Sequence, residues 1–117
     1  MKYTLQDGAD VCKAIEPAIA AIGIHAAIGG SLAYRGDSTK DIDIILYPHN
    51  REVIIDRQQI VALLAGLGYH RPNGDDYQSS AVPDVHCAAD GDGKRVDFFF
   101  MQRSEFFPKP NLEGVEA

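Results

Sequence analysis

The stretch 28–47 constrains this chain more than any other. It opens on a Gly29-Gly30-Ser31 turn, crosses a polar loop, and ends in Asp41-Ile42-Asp43 followed by the apolar Ile44-Ile45-Leu46. Adjacent glycines after an apolar segment predict a tight reversal where the backbone can approach another group closely. The acids stand at alternate positions of an apolar run. In a strand, residues two apart share a face, so Asp41 and Asp43 project together while Ile42, Ile44 and Leu46 enter a core. The chain is therefore expected to be built around a sheet, with one strand carrying two carboxylates on its polar side.

The rest of the chain supplies the layers. Val11, Ile15, Ala18, Ile19 and Ile22 recur at helical spacing and predict a helix over 6–22, stopped at Gly23. Pro17 lies inside it and predicts a kink or a division into two short helices. A short buried strand is expected over 24–28, a helical turn over 31–34 and a polar loop over 35–40. The acid-bearing strand covers 41–47 and is ended by Pro48-His49-Asn50. A second helix is expected over 52–67, with Val53, Ile54, Ile60, Val61, Leu64 and Leu67 as its apolar face. Gly66 and Gly68 mark its end. A loop follows over 71–83. Strands over 85–88 and 94–101 flank the turn-rich Asp90-Gly91-Asp92-Gly93, which is a hairpin signal. A last helical turn is expected over 104–107, and a flexible tail over 108–117. The order implies an α/β (α+β) fold: a small mixed β-sheet with helices packed mainly on one face.

The length of 117 residues fits a single domain over 1–117. The net charge of -6 argues against a protein built to coat nucleic acid, so a bound polyanion must meet a local basic patch or a metal ion. Cys12 and Cys87 have no metal-knuckle or redox spacing and suit reduced thiols in a cytosol. No apolar run reaches membrane-spanning length, and the N-terminus does not open a signal peptide, so a cytoplasmic protein is expected.

Two carboxylates at alternate positions repel unless a cation sits between them. Hard oxygen ligands combined with nucleotide phosphates favour Mg²⁺ or Mn²⁺. Asp97, in Arg95-Val96-Asp97-Phe98-Phe99-Phe100, has the same setting, an acid among residues that face a core. If its strand lies beside that of Asp41, three carboxylates converge and suit two metal ions about 4 Å apart for in-line attack on a phosphoryl group. In that scheme Asp41 and Asp43 carry the triphosphate, while Asp97 helps hold the second ion and activates an acceptor hydroxyl. Gly29 and Gly30 let the backbone approach the ligand, and Ser31 opens a helical turn whose free amides suit phosphate. Arg35 and Lys40 are the nearby cations that can neutralise phosphate charge.

The string Gly29-Gly30-Ser31-Leu32-Ala33, a loop ending in Ser38-Thr39-Lys40, and then Asp41-Ile42-Asp43-Ile44 resembles the signature of the DNA polymerase β-like nucleotidyltransferase superfamily. It is most similar to small bacterial and phage members, including toxin–antitoxin and abortive-infection types. The resemblance is strong over 24–47 and weak over 95–100. It implies the nucleotidyltransferase fold and transfer of a nucleoside monophosphate from an NTP, such as ATP, to a hydroxyl, with release of pyrophosphate. Its carry-over falls on Gly30 and Ser31 for phosphate and on Asp41, Asp43 and Asp97 for catalysis and metal, while Gly29, Arg35 and Lys40 complete the candidate nucleotide-binding set by their place around the turn. The acceptor is a protein hydroxyl, a small molecule or an RNA end, the last disfavoured by the net charge. Larger members append a helical domain that grips the base and acceptor. This chain ends soon after the third-acid strand, so either a protein partner or a second copy in a homodimer is expected to supply that wall, or the active site is open. The alternative is a catalytically incomplete module that binds a protein partner, as an antitoxin or phage inhibitor does, or that senses nucleotide.

Other features carry less. Asp90 and Asp92 superficially resemble a calcium loop, but the remaining ligand pattern is absent and a hairpin turn fits better. His86 and Cys87, with Cys12 or other histidines, lack zinc-ligand spacing. His25 reads as a packing or rim residue, and the phenylalanines as core.

Overall fold

In the computed structural model, residues 2–50, 52–71 and 85–101 are described. The loop after Arg71, the last helical turn and the tail expected from sequence lie outside them. The elements are β1 (Tyr3–Thr4), α1 (Leu5–Ala20), β2 (Ile24–Gly29), α2 (Gly30–Arg35), β3 (Asp37–Ser38), β4 (Ile42–Pro48), α3 (Arg57–Gly66), β5 (Val85–Ala89) and β6 (Arg95–Phe100). The main sheet runs β2-β4-β6-β5. Only the β4–β6 pair is parallel; β2–β4 and β5–β6 are antiparallel. This is a mixed α/β fold of the α+β kind, with a small mixed sheet.

Alternation along the strands separates the sheet's two faces. Ile42, Ile44 and Leu46 of β4 and Val96, Phe98 and Phe100 of β6 are buried in one core. Val11, Ile15 and Ile19 of α1, Leu32 of α2 and Ile60, Val61 and Leu64 of α3 join the same core. Among the described residues the helices thus cover one face. The intervening strand positions, including Asp43 and Asp97, point to the other.

Helix α1 begins where Thr4 and Asp7 form a capping box, the Thr4 side chain accepting from the Asp7 amide and Asp7 accepting from the Thr4 amide. That bond from the Thr4 backbone, first among several causes, holds the Asp7 carboxyl below its ordinary pKa. Asp7 also pairs with Lys94 at 3.4 Å, and the Tyr3 hydroxyl accepts from the Arg95 amide at 3.2 Å. The N-terminus is thereby tied to the start of β6. Thr4→Ala is expected to cost about 1 kcal/mol in urea unfolding.

Three expectations need correction. Helix α1 continues through Pro17 as one helix and is not divided in two. Pro17 is exposed near the C-terminus, where water can satisfy the carbonyl that loses its partner. The second helix begins at Arg57 rather than at 52, because Asp56 caps it, accepting from the Gln59 amide at 3.3 Å. Val53, Ile54 and Ile55 precede it outside any helix, as suits three consecutive β-branched residues, and Ile55 is buried in the core. The loop over 35–40 contains β3, which pairs antiparallel with β1 as Tyr3↔Ser38 and Thr4↔Asp37. A two-residue ribbon formed by segments this distant leaves no periodic trace.

Candidate metal centre

Strand register assembles the site. Gly29 of β2 pairs with Asp43 of β4, Asp43 with Asp97 of β6, and Asp97 with Cys87 of β5. These four residues form one row across the sheet on the face away from the helices. Asp41 stands two residues before Asp43, just ahead of β4. One carboxylate oxygen from each of Asp41, Asp43 and Asp97 lies within 4.8 Å of the others. The convergence expected from sequence is present.

The glycine turn packs directly on the acids. Gly30 has φ +58°, a left-handed backbone, and a methyl group there would overlap the Asp43 carboxylate, standing 2.9 Å from its Cγ. Gly29 ends β2 and is buried. A side chain on Gly29 would meet Ile45 Cδ1 at 2.8 Å. Ser31 follows in α2 and is partly exposed.

The two cations assigned to phosphate are placed differently. Arg35 pairs with Asp37, Nε to Oδ1 at 3.9 Å, and Asp37 also takes Lys2 at 3.4 Å. Lys40 is exposed. Among the described residues neither makes an ion pair with the acids. Among the described residues, a cation that does reach the acids is Arg95, whose Nη2 lies 3.5 Å from Asp97 Oδ1. Its sequence signal was its place two residues before Asp97, hence on the same strand face. Ser38 is a second residue that sequence reading missed. It is buried, and its Oγ accepts the Lys40 and Asp41 amides, both at 3.4 Å, so it fixes the turn that delivers Asp41.

The electrostatics are those of anions forced together. Burial first, then the negative charge of Asp41 and its hydrogen bond, then Asp97, push the Asp43 carboxyl up to about 6. Asp97 is also raised, by burial first and then by Asp41, with Arg95 pulling it down. The Cys87 thiol is raised by burial and by Asp97, so it stays protonated beside the row.

Whether these residues suit a hard divalent cation can be tested on Asp97. Its Oδ1 is buried and, among the described residues, has no hydrogen-bond partner. A buried polar atom left so costs free energy unless something meets it. Arg95 at 3.5 Å meets only part of that need. Three oxygen donors within reach of one another, one of them orphaned and two with raised pKa values, fit an ion such as Mg²⁺ or Mn²⁺.

The raised pKa values set a pH dependence. An unfolded Asp titrates near 3.9 and folded Asp43 near 6, so between those values the folded state holds more protons. Metal-free stability should therefore be highest below about pH 4 on this account and fall as pH rises to about 6. Asp97 adds to the same sign. Asp7, lowered instead, acts oppositely, but below the ordinary carboxylate pKa. Because an ion must displace these protons, the melting-temperature gain from Mg²⁺ should be small at pH 5 and larger at pH 7.5. An equal gain at both values would show that the ion binds elsewhere.

Protein-family models, curated proteins and solved structures were each compared with this chain, and none matches. No helix among the described residues is long and apolar enough to cross a membrane.

Proposed function

We propose that this chain is a metal-dependent nucleotidyltransferase of the DNA polymerase β-like kind. It would move a nucleoside monophosphate from an NTP to a hydroxyl and release pyrophosphate. The observation that carries this reading is the meeting of the Gly29-Gly30 turn with three carboxylates, Asp43 and Asp97 on two parallel neighbouring strands and Asp41 just ahead of the first. A solvated strand face would need neither the close approach of Gly30 to Asp43 nor the burial of Asp97.

The residues divide the work. Asp41, Asp43 and Asp97 would hold Mg²⁺ through carboxylate oxygens. When bound, such ions neutralise phosphate charge and polarise the reacting phosphoryl group. Gly29 and Gly30 let the backbone pass close against Asp43, which would bring the amides of the turn near phosphate oxygens held at the acids. Ser31 offers its hydroxyl and amide to them. Asp97, buried and poorly satisfied at Oδ1, is the acid suited to take the acceptor hydroxyl's proton. Arg95 beside it orients that carboxylate and counters charge at the same end. The net charge favours a protein or small-molecule acceptor over a large RNA.

The test is pyrophosphate release with each NTP and Mg²⁺, with and without cell lysate, by wild type and by an Asp41→Asn/Asp43→Asn variant. Release that needs metal and aspartates, with label on a lysate component, is expected. No release with any NTP, while Mg²⁺ and NTP still raise the melting temperature, would shift the reading to a nucleotide sensor or a partner-binding module.

A further inference from the structure

A second cluster of metal-ligating side chains lies on β2 and β4, away from the acids. His25 is the second residue of β2 and pairs with Tyr47, whereas Gly29 pairs with Asp43. Four residues of strand separate the two positions, about 13 Å. The backbone amide of His49, just past β4, donates to the Gly23 carbonyl at 2.6 Å. That bond brings His49 to His25 although 24 residues separate them. His25 Nε2 then stands 3.0 Å from His49 Nδ1, with ring centroids 5.2 Å apart.

The other nitrogen of His25 is already committed. His25 Nδ1 lies 2.8 Å from Glu16 Oε2, while Glu16 Oε1 accepts the Ala26 amide of the same edge strand at 3.3 Å. An ionised carboxylate only accepts, so in the neutral imidazole the proton sits on Nδ1 and the lone pair on Nε2. A carboxylate behind an imidazole is the usual support of a metal-bound histidine. Metal–nitrogen bonds of about 2.1 Å put neighbouring nitrogens about 3.0 Å apart in octahedral geometry and about 3.4 Å in tetrahedral geometry. The observed separation is that of an N–H···N hydrogen bond, the rings meeting nearly head-on with centroids 5.2 Å apart, so the exposed His49 ring must turn for both lone pairs to meet one ion.

We propose that His25 Nε2 and His49 Nδ1 form a site for a divalent transition-metal ion of the zinc class, with Glu16 as the carboxylate that orients His25. The hydrogen between the two nitrogens moves to Nε2 of His49 as the ion enters, a change of tautomer with no change of charge. Water fills the remaining positions, because His49 is exposed and the His25 side chain is 30% exposed. Imidazole nitrogen suits zinc, copper and nickel, whereas the carboxylate centre suits magnesium, so ligand hardness separates the two sites. The ion ties α1, the edge strand β2 and the exit of β4 together, which makes it a staple of the fold rather than part of the acid centre.

The experiment is titration of the full chain with ZnCl₂, read by calorimetry and by melting temperature, with Co²⁺ absorption as a second readout. Wild type and the Asp41→Asn/Asp43→Asn variant should both bind and gain stability. His49→Ala, at an exposed position, should weaken binding at least tenfold, and Glu16→Gln by about 10–100-fold. Excess Mg²⁺ should leave the binding unchanged. Absence of binding at millimolar Zn²⁺, retention of full affinity in His49→Ala, or loss of binding in the double aspartate variant would each overturn the site.

Discussion

Replacing Asp43 with Asn is expected to make the metal-free protein more stable and the proposed enzyme inactive. Asp43 is partly buried between Asp41 and Asp97, and its pKa of about 6 measures how poorly that place suits a negative charge. The shift of about 2 units above the ordinary value corresponds to a ceiling of about 3 kcal/mol at neutral pH. Solvent screening of a partly exposed group reduces that to about 1–2 kcal/mol. A gain of this size should raise the melting temperature at pH 7.5 without metal by about 4–8 °C or somewhat more. The same substitution removes a charged ligand. The Mg²⁺-induced rise in melting temperature should then shrink or vanish. Electrostatic stabilisation by bound metal supplies several kcal/mol, so pyrophosphate release should fall at least about a thousandfold. This pairing of higher stability with lost activity separates a metal centre from an ordinary surface. A solvated acid replaced by its amide changes stability little and changes the Mg²⁺ response not at all. If Asp43→Asn leaves metal-free stability unchanged and still responds to Mg²⁺, the three acids are not a binding centre.

Much of this centre was legible in the sequence, and what was not has a common cause. The alternation of acids and large apolar residues around Asp41, Asp43 and Asp97 states which face each side chain takes, since strand periodicity is local. The Gly29-Gly30 pair states where the backbone must turn. Register is not local. Nothing within 95–100 says that Asp97 lies opposite Asp43, or that Cys87 lies opposite Asp97; those facts come from pairing between segments far apart. Arg95 was visible as a neighbour of Asp97, but Arg35 and Lys40 drew attention by being close to the glycine turn in the chain. Five residues of helix carry Arg35 about 7.5 Å along the axis from Gly30, where Asp37 takes it. Ser38 looked like any loop serine until burial and the Asp41 amide gave it a role. The start of α3 was misjudged for the opposite reason. Val53 and Ile54 fit a helical stripe, but Asp56 offers its side chain to the Gln59 amide and begins the helix later. Likewise His25 and His49 are unremarkable apart and meet only because β2 and β4 are antiparallel neighbours.

Gly30→Ala should do the most damage of any single methyl group placed on a glycine of this chain's described part, and the reason can be divided experimentally. Two costs combine there. The backbone at φ +58° costs an alanine about 1–2 kcal/mol. The methyl also overlaps the Asp43 carboxylate, and overpacking of this kind costs about 1–3 kcal/mol. Asp43 has little room to yield, since Asp41 and Asp97 repel it from the other sides. The expected loss is about 2–5 kcal/mol, a fall in melting temperature of at least about 8 °C. The response to Mg²⁺ should go with it, because any relaxation moves Asp43 away from Asp97. Two other glycines separate the costs. Gly68 has φ +98° with nothing within 4 Å of an added methyl, so Gly68→Ala carries the backbone cost alone. Gly91 has open space and no left-handed backbone, so Gly91→Ala should be close to neutral. The excess of Gly30→Ala over Gly68→Ala then measures the contact with Asp43, and it should shrink when Asp43→Ser is introduced beside it. If Gly30→Ala costs no more than Gly68→Ala, the glycine turn does not press on the acids. The closeness of turn and carboxylates that supports the proposed function would then be lost.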